Sequence, residues 1–386
     1  MAITKLTNTQ IHGIVNEAYR QFTGKDDVTL IDLTGFTETG VDEINADREK
    51  FTGALLGVLS KTWFTQTSLR SKYKDVFFED SASFGAITQM ISVEMPEAKE
   101  NSAWKDFVSG TSTVGQYTLF LPLVSSKLYS RSESWSIPLS ITGEQWDTAF
   151  RSAGELENFV NYLFMILDNA IVSRLQYLNR MNRNNFIAQK VEENNGVFNL
   201  VQLYVDDRGI TDGMTVGDFM SDTDCLLFAI ETLQNYIGYI QEQDTEFHTD
   251  DIARFVPEER LVVQVLKMFN NRLNVVAKSD TYHNDFLSFP LSEEVSAFQS
   301  VADKSFEGLS KISVKTADGD TVTVNGVVAL ICDKWCVAHT IKKHRVGSAY
   351  FGIEDITHYE YQFRDSYMNN LTLPAVIFTV QDVSAE

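Results

Sequence analysis

From Leu156 onward, apolar residues return every third or fourth position: Val160, Leu163, Leu167, Ile171, Leu175, Leu178 and Met181 follow in turn. That rhythm puts them on one face of an α-helix. Ser152 and Glu155 supply an S-x-x-E capping pattern just ahead of the run. The spacing predicts one helix over 155–188, about 50 Å long at ~1.5 Å per residue, well beyond an ordinary globular helix. Shorter helical patterns fall on residues 8–22, through Ile11, Ile14, Val15, Ala18 and Phe22, on 48–64, and on 223–241.

Elsewhere the pattern has a strand period. "DVFFED" and "GAITQMISVEM" read as strands, and "GQYTLFLPLV" and "ESWSIPLSI" alternate apolar with small polar residues. Between about Ser92 and Ile141 this predicts a long two-stranded excursion from the body. A lone two-stranded ribbon is marginal in water. Its aromatic residues Trp104, Phe107, Tyr117, Phe120, Tyr129 and Trp135 are therefore expected to find cover on another subunit. "KISVKTADGDTVTVNG" predicts a β-hairpin turning at Asp318-Gly319. "GVVALICDKW" is apolar enough for a central strand, and "HYEYQFRDSYMNNLTLPAVIFTV" is again strand-like. Interleaved helices and antiparallel strands make the class α+β.

Charge narrows the function. The 386 residues carry 53 Asp and Glu against 32 Lys and Arg, a formal net charge of −21. A surface built mainly to grip phosphates needs clustered cations, so nucleic-acid gripping is excluded as the main task. No stretch is long and apolar enough for a transmembrane helix, and "MAITKLTNTQIHGIVNEAYRQF" has no signal-peptide h-region. Three cysteines make no disulfide framework and suit a reducing compartment.

One stretch carries candidate chemistry. "CDKWCVAHTIKKH" holds Cys332, Cys336, His339 and His344 within 332–344. Zinc needs its ligands converging at about 2.0–2.3 Å. A strand spreads them over about 40 Å at ~3.3 Å per residue, and His339 would face away from the cysteines. The expectation is two small cysteines packed in a strand, histidines in the polar turn after it, and no metal or cofactor. "DDRGITDGMTVGD" lacks calcium-loop spacing and reads as a surface turn. The acids between Glu242 and Glu259 read as a solvated loop. Lys342, Lys343 and Arg345 read as a solvated basic turn. No G-x-S-x-G, G-x-G-x-x-G, Walker A or H-E-x-x-H pattern occurs.

The order of parts carries more than any motif. The long helix "GELENFVNYLFMILDNAIVSRLQYLNRMNR" precedes "RLVVQVLKMFNNRLNVVAKSDTYHNDFLSF". The closing segment is "VVALICDKWCVAHTIKKHRVGSAYFGIEDITHYEYQFRDSYMNNLTLPAVIF". From about residue 45 this resembles the Hong Kong 97 fold of tailed-phage major capsid proteins, and is most similar to those of short-tailed, salasmavirus-type phages. The resemblance implies an N-terminal arm and connector over 1–74 and an E-loop with adjoining strands over 75–151. A P-domain follows over 152–245, with spine helix 155–188 and second helix 223–241. An A-domain takes 246–345, and a C-terminal return strand of the P-domain takes 346–386. It implies a non-enzymatic shell protein of the virion, assembled in the host cytoplasm. Hexamers and pentamers would form an icosahedral head around double-stranded DNA bound without sequence specificity. A portal is an implied partner and a scaffolding protein a further candidate. Two other readings stand beside it: an encapsulin-like compartment shell, and a cytoplasmic metal-dependent enzyme using Cys332, Cys336 and His339.

Overall fold

The computed structural model describes residues 8–24, 50–51, 53–55, 58, 78–81, 88–93, 124–129, 133–149, 151, 153–250, 252–280, 293–315 and 319–384. In chain order, α1 (Asn8–Thr23) leads to β1 (Phe78–Ser81), β2 (Thr88–Val93), β3 (Val124–Tyr129) and β4 (Glu133–Thr142). Then come α2 (Gly143–Ala149), α3 (Ala153–Glu192), β5 (Val197–Asn199), α4 (Leu200–Arg208), α5 (Val216–Ser221) and α6 (Thr223–Gln241). The remainder is β6 (Leu261–Leu266), α7 (Lys267–Asp280), β7 (Glu293–Val295), α8 (Phe306–Ser310), β8 (Ile312–Lys315), β9 (Thr321–Val324), β10 (Val327–Asp333), β11 (Val337–Phe351), β12 (Ile356–Asn369) and β13 (Ala375–Thr379).

The chain divides into two compact units, each made from three separate stretches. The first comprises 1–86, 131–183 and 337–368. Its sheet has the order β1-β11-β12-β4, with β1 parallel to β11 and β4 antiparallel to β12. The apolar stripe of α3 is buried here, with Leu156, Val160, Leu163, Leu167, Ile171 and Leu175 packed in one core with Ile141, Tyr359, Tyr361 and Phe363. Further along α3, Leu178 is also buried. Ile11, Ile14, Val15 and Ala18 of α1 join that core. Residues that the sequence places in an arm thus supply part of a core.

The second unit comprises 87–130, 184–336 and 369–386. Its five-stranded sheet runs β5-β13-β10-β6-β7. β10 is the middle strand, antiparallel to β13 and β6, and every one of its residues is buried. A continuous V-V-A-L-I-C run suits that position because neither face meets water. β8 and β9 form the expected hairpin, and Gly319, the second residue of its predicted turn, takes φ +94.

Three expectations need correction. "ESWSIPLSI" is not an arm of the excursion. As β4 it pairs with β12 from Thr142↔Ile356 to Glu133↔Asp365, and the ribbon joins β2 to β3 instead. β4 has its own cover: Trp135, Ile137 and Leu139 pack against the first unit's core, and Ile141 lies within it. Second, His339 and the basic run 342–345 lie in β11, not in a turn. The chain turns at 334–336, before them. Third, the acidic 242–259 stretch is not simply solvated, since Phe247, His248, Ile252 and Val256 within it are buried.

Candidate assembly surfaces

The "CDKWC" stretch closes a turn inside the second unit. Asp333 is buried at the end of β10; its Oδ1 accepts the Trp335 backbone N–H at 2.9 Å and its Oδ2 accepts from Arg260 at 2.5 Å. The Arg260 guanidinium lies 4.6 Å from the centre of the Trp335 ring, a cation–π contact. Lys334 donates its backbone N–H to Arg260 O at 2.7 Å, and Cys336 donates to Asp333 O at 2.9 Å. Burial raises the Asp333 carboxyl above its ordinary range, against the lowering effect of the Trp335 N–H and Arg260. Acid, tryptophan and arginine here lock a turn.

The sulfurs are packed as well. Cys332 and Cys336 are fully buried, and the Cys336 thiol points at Pro374 O, 3.6 Å away. Burial pushes its thiol well above the ordinary value, and burial pushes Cys225 to about 11. Thiols held protonated are poor nucleophiles and poor ligands. Lys190 is buried near them, donating to Asn195 Oδ1 at 2.8 Å and Phe247 O at 2.7 Å, with desolvation pushing its ammonium down to about 8. Among the described residues, no group of three or more His, Cys, Asp and Glu side chains is placed to hold a metal ion.

His339 sits within the first unit. Its ring stacks on Tyr367 at 4.9 Å, and its Nε2 is 3.7 Å from Asp365 Oδ2. Trp135 donates its Nε1–H to that same oxygen at 2.7 Å and stacks on Phe363 at 4.2 Å. Of the six aromatic residues singled out for subunit contacts, Trp135 is thus half-buried in its own sheet. Trp104, Phe107, Tyr117 and Phe120 lie outside the described residues, as does the side chain of Tyr129.

What the described surface does offer is apolar. In the β2/β3 ribbon, Val93 stands opposite Val124 and Ile91 opposite Ser126. Alternation puts these four on one face. Ile91, Val93 and Val124 remain 63%, 54% and 56% exposed. A second patch crowns the β11/β12 hairpin, where Tyr350, Phe351 and Ile353 are all exposed. That tip is ordered by its own bonds: Tyr350 Oη donates to Asp355 Oδ1 at 3.0 Å, Gly143 donates to Asp355 O at 2.8 Å, and Phe351 meets the His358 ring edge-on at 5.1 Å. Asp355 holds φ +48 to make the turn. Sequence reasoning missed these residues. The signal available was Tyr350-Phe351-Gly352-Ile353, an apolar cluster around a glycine between two strand patterns.

The family model described as Phi29-like phage major capsid protein matches residues 11–379. No curated protein matches the sequence. Among solved structures, the capsid structure of Staphylococcus phage Andhra aligns over 78% of this chain and 82% of that one, with 10% identity and a TM-score of 0.50. The capsid structure of the cyanophage P-SCSP1u aligns over 80% and 88%, with 12% identity and a TM-score of 0.45. Among the described residues no helix is long and apolar enough to cross a membrane.

Proposed function

The chain belongs to the Phi29-like phage major capsid protein family, and from that premise we propose how it builds its shell. It is a phage major capsid protein with the Hong Kong 97 fold, a component of the virion that acts as one of many copies. In the proposed reading, copies close into hexamers and pentamers of an icosahedral head around double-stranded DNA. A portal occupies one position, a scaffolding protein is a further candidate partner, and assembly takes place in the host cytoplasm. The role is structural rather than catalytic; the burial of all three cysteines, which pushes the Cys225 and Cys336 thiols above their ordinary range, supports this. No observation favours the encapsulin-like compartment or the metal-dependent enzyme.

The observation that carries the reading is the exposed apolar face of the β2/β3 ribbon, Ile91, Val93 and Val124. We assign the ribbon to the E-loop, and its apolar face to contact with a neighbouring copy. Trp104, Phe107, Tyr117, Phe120 and Tyr129 would extend that contact beyond the ribbon. The five-stranded sheet would be the A-domain core, taking in β5 and β13 from stretches that the resemblance assigns to the P-domain, and the four-stranded sheet with the N-terminal part of α3 the P-domain. The net charge of −21 supports the same picture, because an inner surface that held DNA tightly everywhere would oppose packing and release. Deleting residues 109–116 tests it. The deletion variant should fold yet fail to give shell-sized particles in sedimentation, whereas normal particles would remove the E-loop assignment.

A further inference from the structure

An open groove of about 420 Å³ lies between α2 and the first turns of α3, all within the first unit. Ala149, Phe159 and Tyr162 give it an apolar floor, and Glu144 and Glu155 stand exposed on its rim. Such a groove selects a short segment with an aromatic residue between cations. In a chain of net charge −21, few segments meet that need. "RSKYK", residues 70–74, does: Tyr73 lies between Lys72 and Lys74, with Arg70 two residues before Lys72. Of the other basic stretches, "KLYSR" at 127–131 has its lysine and tyrosine in β3, and 342–345 is committed to β11.

The topology decides which copy supplies the segment. β1 begins at Phe78, paired with Ala338 on β11, at one edge of the sheet. The groove adjoins Thr142, which pairs with Ile356 at the turn end of the β11/β12 hairpin, on the opposite edge. Ala338 precedes Phe351 by about 13 residues, so the two ends are about 43 Å apart along the strands at ~3.3 Å per residue, and about 14 Å apart across them. Lys72 lies about six residues before Phe78 and reaches at most about 22 Å from it when fully extended. A chain therefore falls short of its own groove by roughly half the distance.

We propose that the α2/α3 groove receives residues 70–74 of a second copy of this chain, with Tyr73 on the apolar floor and Lys72 and Lys74 against Glu144 and Glu155. The inference rests on the shell reading, and the wild-type control separates the two. Three variants test it under conditions where wild type forms shells: Glu144→Lys with Glu155→Lys, Arg70→Glu with Lys72→Glu and Lys74→Glu, and all five together. Each partial reversal should lower the yield of shell-sized particles at least tenfold, and the fivefold variant should restore it to within about threefold of wild type. If a reversal fails to fold by circular dichroism, the neutral pair Glu144→Gln with Glu155→Gln replaces it, with a smaller loss expected. Lys72→Cys with Glu155→Cys, mildly oxidised, should give a ladder of covalently linked chains on a non-reducing gel. Full assembly of either partial reversal, no rescue in the fivefold variant, or a crosslinked product that stays monomeric would overturn the proposal. Failure of wild type to form particles under any condition would instead count against the shell reading itself.

Discussion

Replacing Ile91, Val93 and Val124 together by threonine isolates what the ribbon's apolar face does. Threonine keeps the β-branch, so the strands retain their local preference, but it puts a hydroxyl in place of an exposed methyl at Val93 and Val124 and of an exposed ethyl at Ile91. Fully burying a Val or Ile side chain is worth about 1.5–3 kcal/mol. The three residues still expose 63%, 54% and 56% of their surface in the single chain. Covering them with a neighbour therefore stabilises each contact by about 3 kcal/mol, and the threonine variant forfeits about 2 kcal/mol of that. The contact weakens roughly thirtyfold, and the threshold concentration for shell formation rises by about the same factor. The isolated chain should barely notice, because exposed substitutions usually stay within about 0.5 kcal/mol. Sedimentation across a concentration series reads the threshold, and thermal melting of the unassembled chain reads the fold. An unchanged threshold would refute the reasoning. So would a melting temperature more than about 5 °C lower, because the face would then belong to the chain's own core.

Three further outcomes test the fold. Leu167 is only 3% exposed in the first unit's core, so Leu167→Asp should abolish recovery of folded protein, since an unpaired buried carboxylate is costly; normal yield and circular dichroism would show the α3 register to be wrong. At Gly326, φ is +71 and an added Cβ would lie 2.1 Å from Val380 O, so Gly326→Ala should cost more than about 2 kcal/mol in chemical denaturation. Lys190 titrates near 8 when folded, chiefly through desolvation, against 10.5 as its ordinary value. Between those values the unfolded chain keeps a proton that the folded chain has released, so this group's penalty, about 3 kcal/mol at neutral pH, fades as pH rises through the window. The unfolding free energy of wild type relative to Lys190→Met should therefore climb between pH 8 and 10.5, and a flat difference would contradict the buried cation.

The parts of the fold that could be read in the sequence are those written in local periodicity. The α3 stripe runs as its spacing says, and α6 occupies Thr223–Gln241, the residues its amphipathic pattern marks. β10 is central because an unbroken apolar run has no other stable place. Pairing between distant segments was not legible. Nothing near "ESWSIPLSI" announces that Ile141 will stand beside Thr357, more than 200 positions away. His339 was misplaced for the same reason: its partner Asp365 and stacking neighbour Tyr367 come from a strand that local reasoning does not bring to it. The assembly surfaces were legible only in outline. An alternating strand shows that one face is apolar, but not whether its cover comes from the same chain, as for Trp135, or from outside it, as proposed for Ile91 and Val93.

Electron cryomicroscopy of particles formed by the wild-type chain tests the central claim most directly. The account predicts closed shells in which this chain occupies every hexamer and pentamer position, with the Ile91, Val93 and Val124 face of each ribbon covered by a neighbouring copy. Shells in which those three side chains face solvent, or a protein that remains monomeric at every concentration examined, would contradict it.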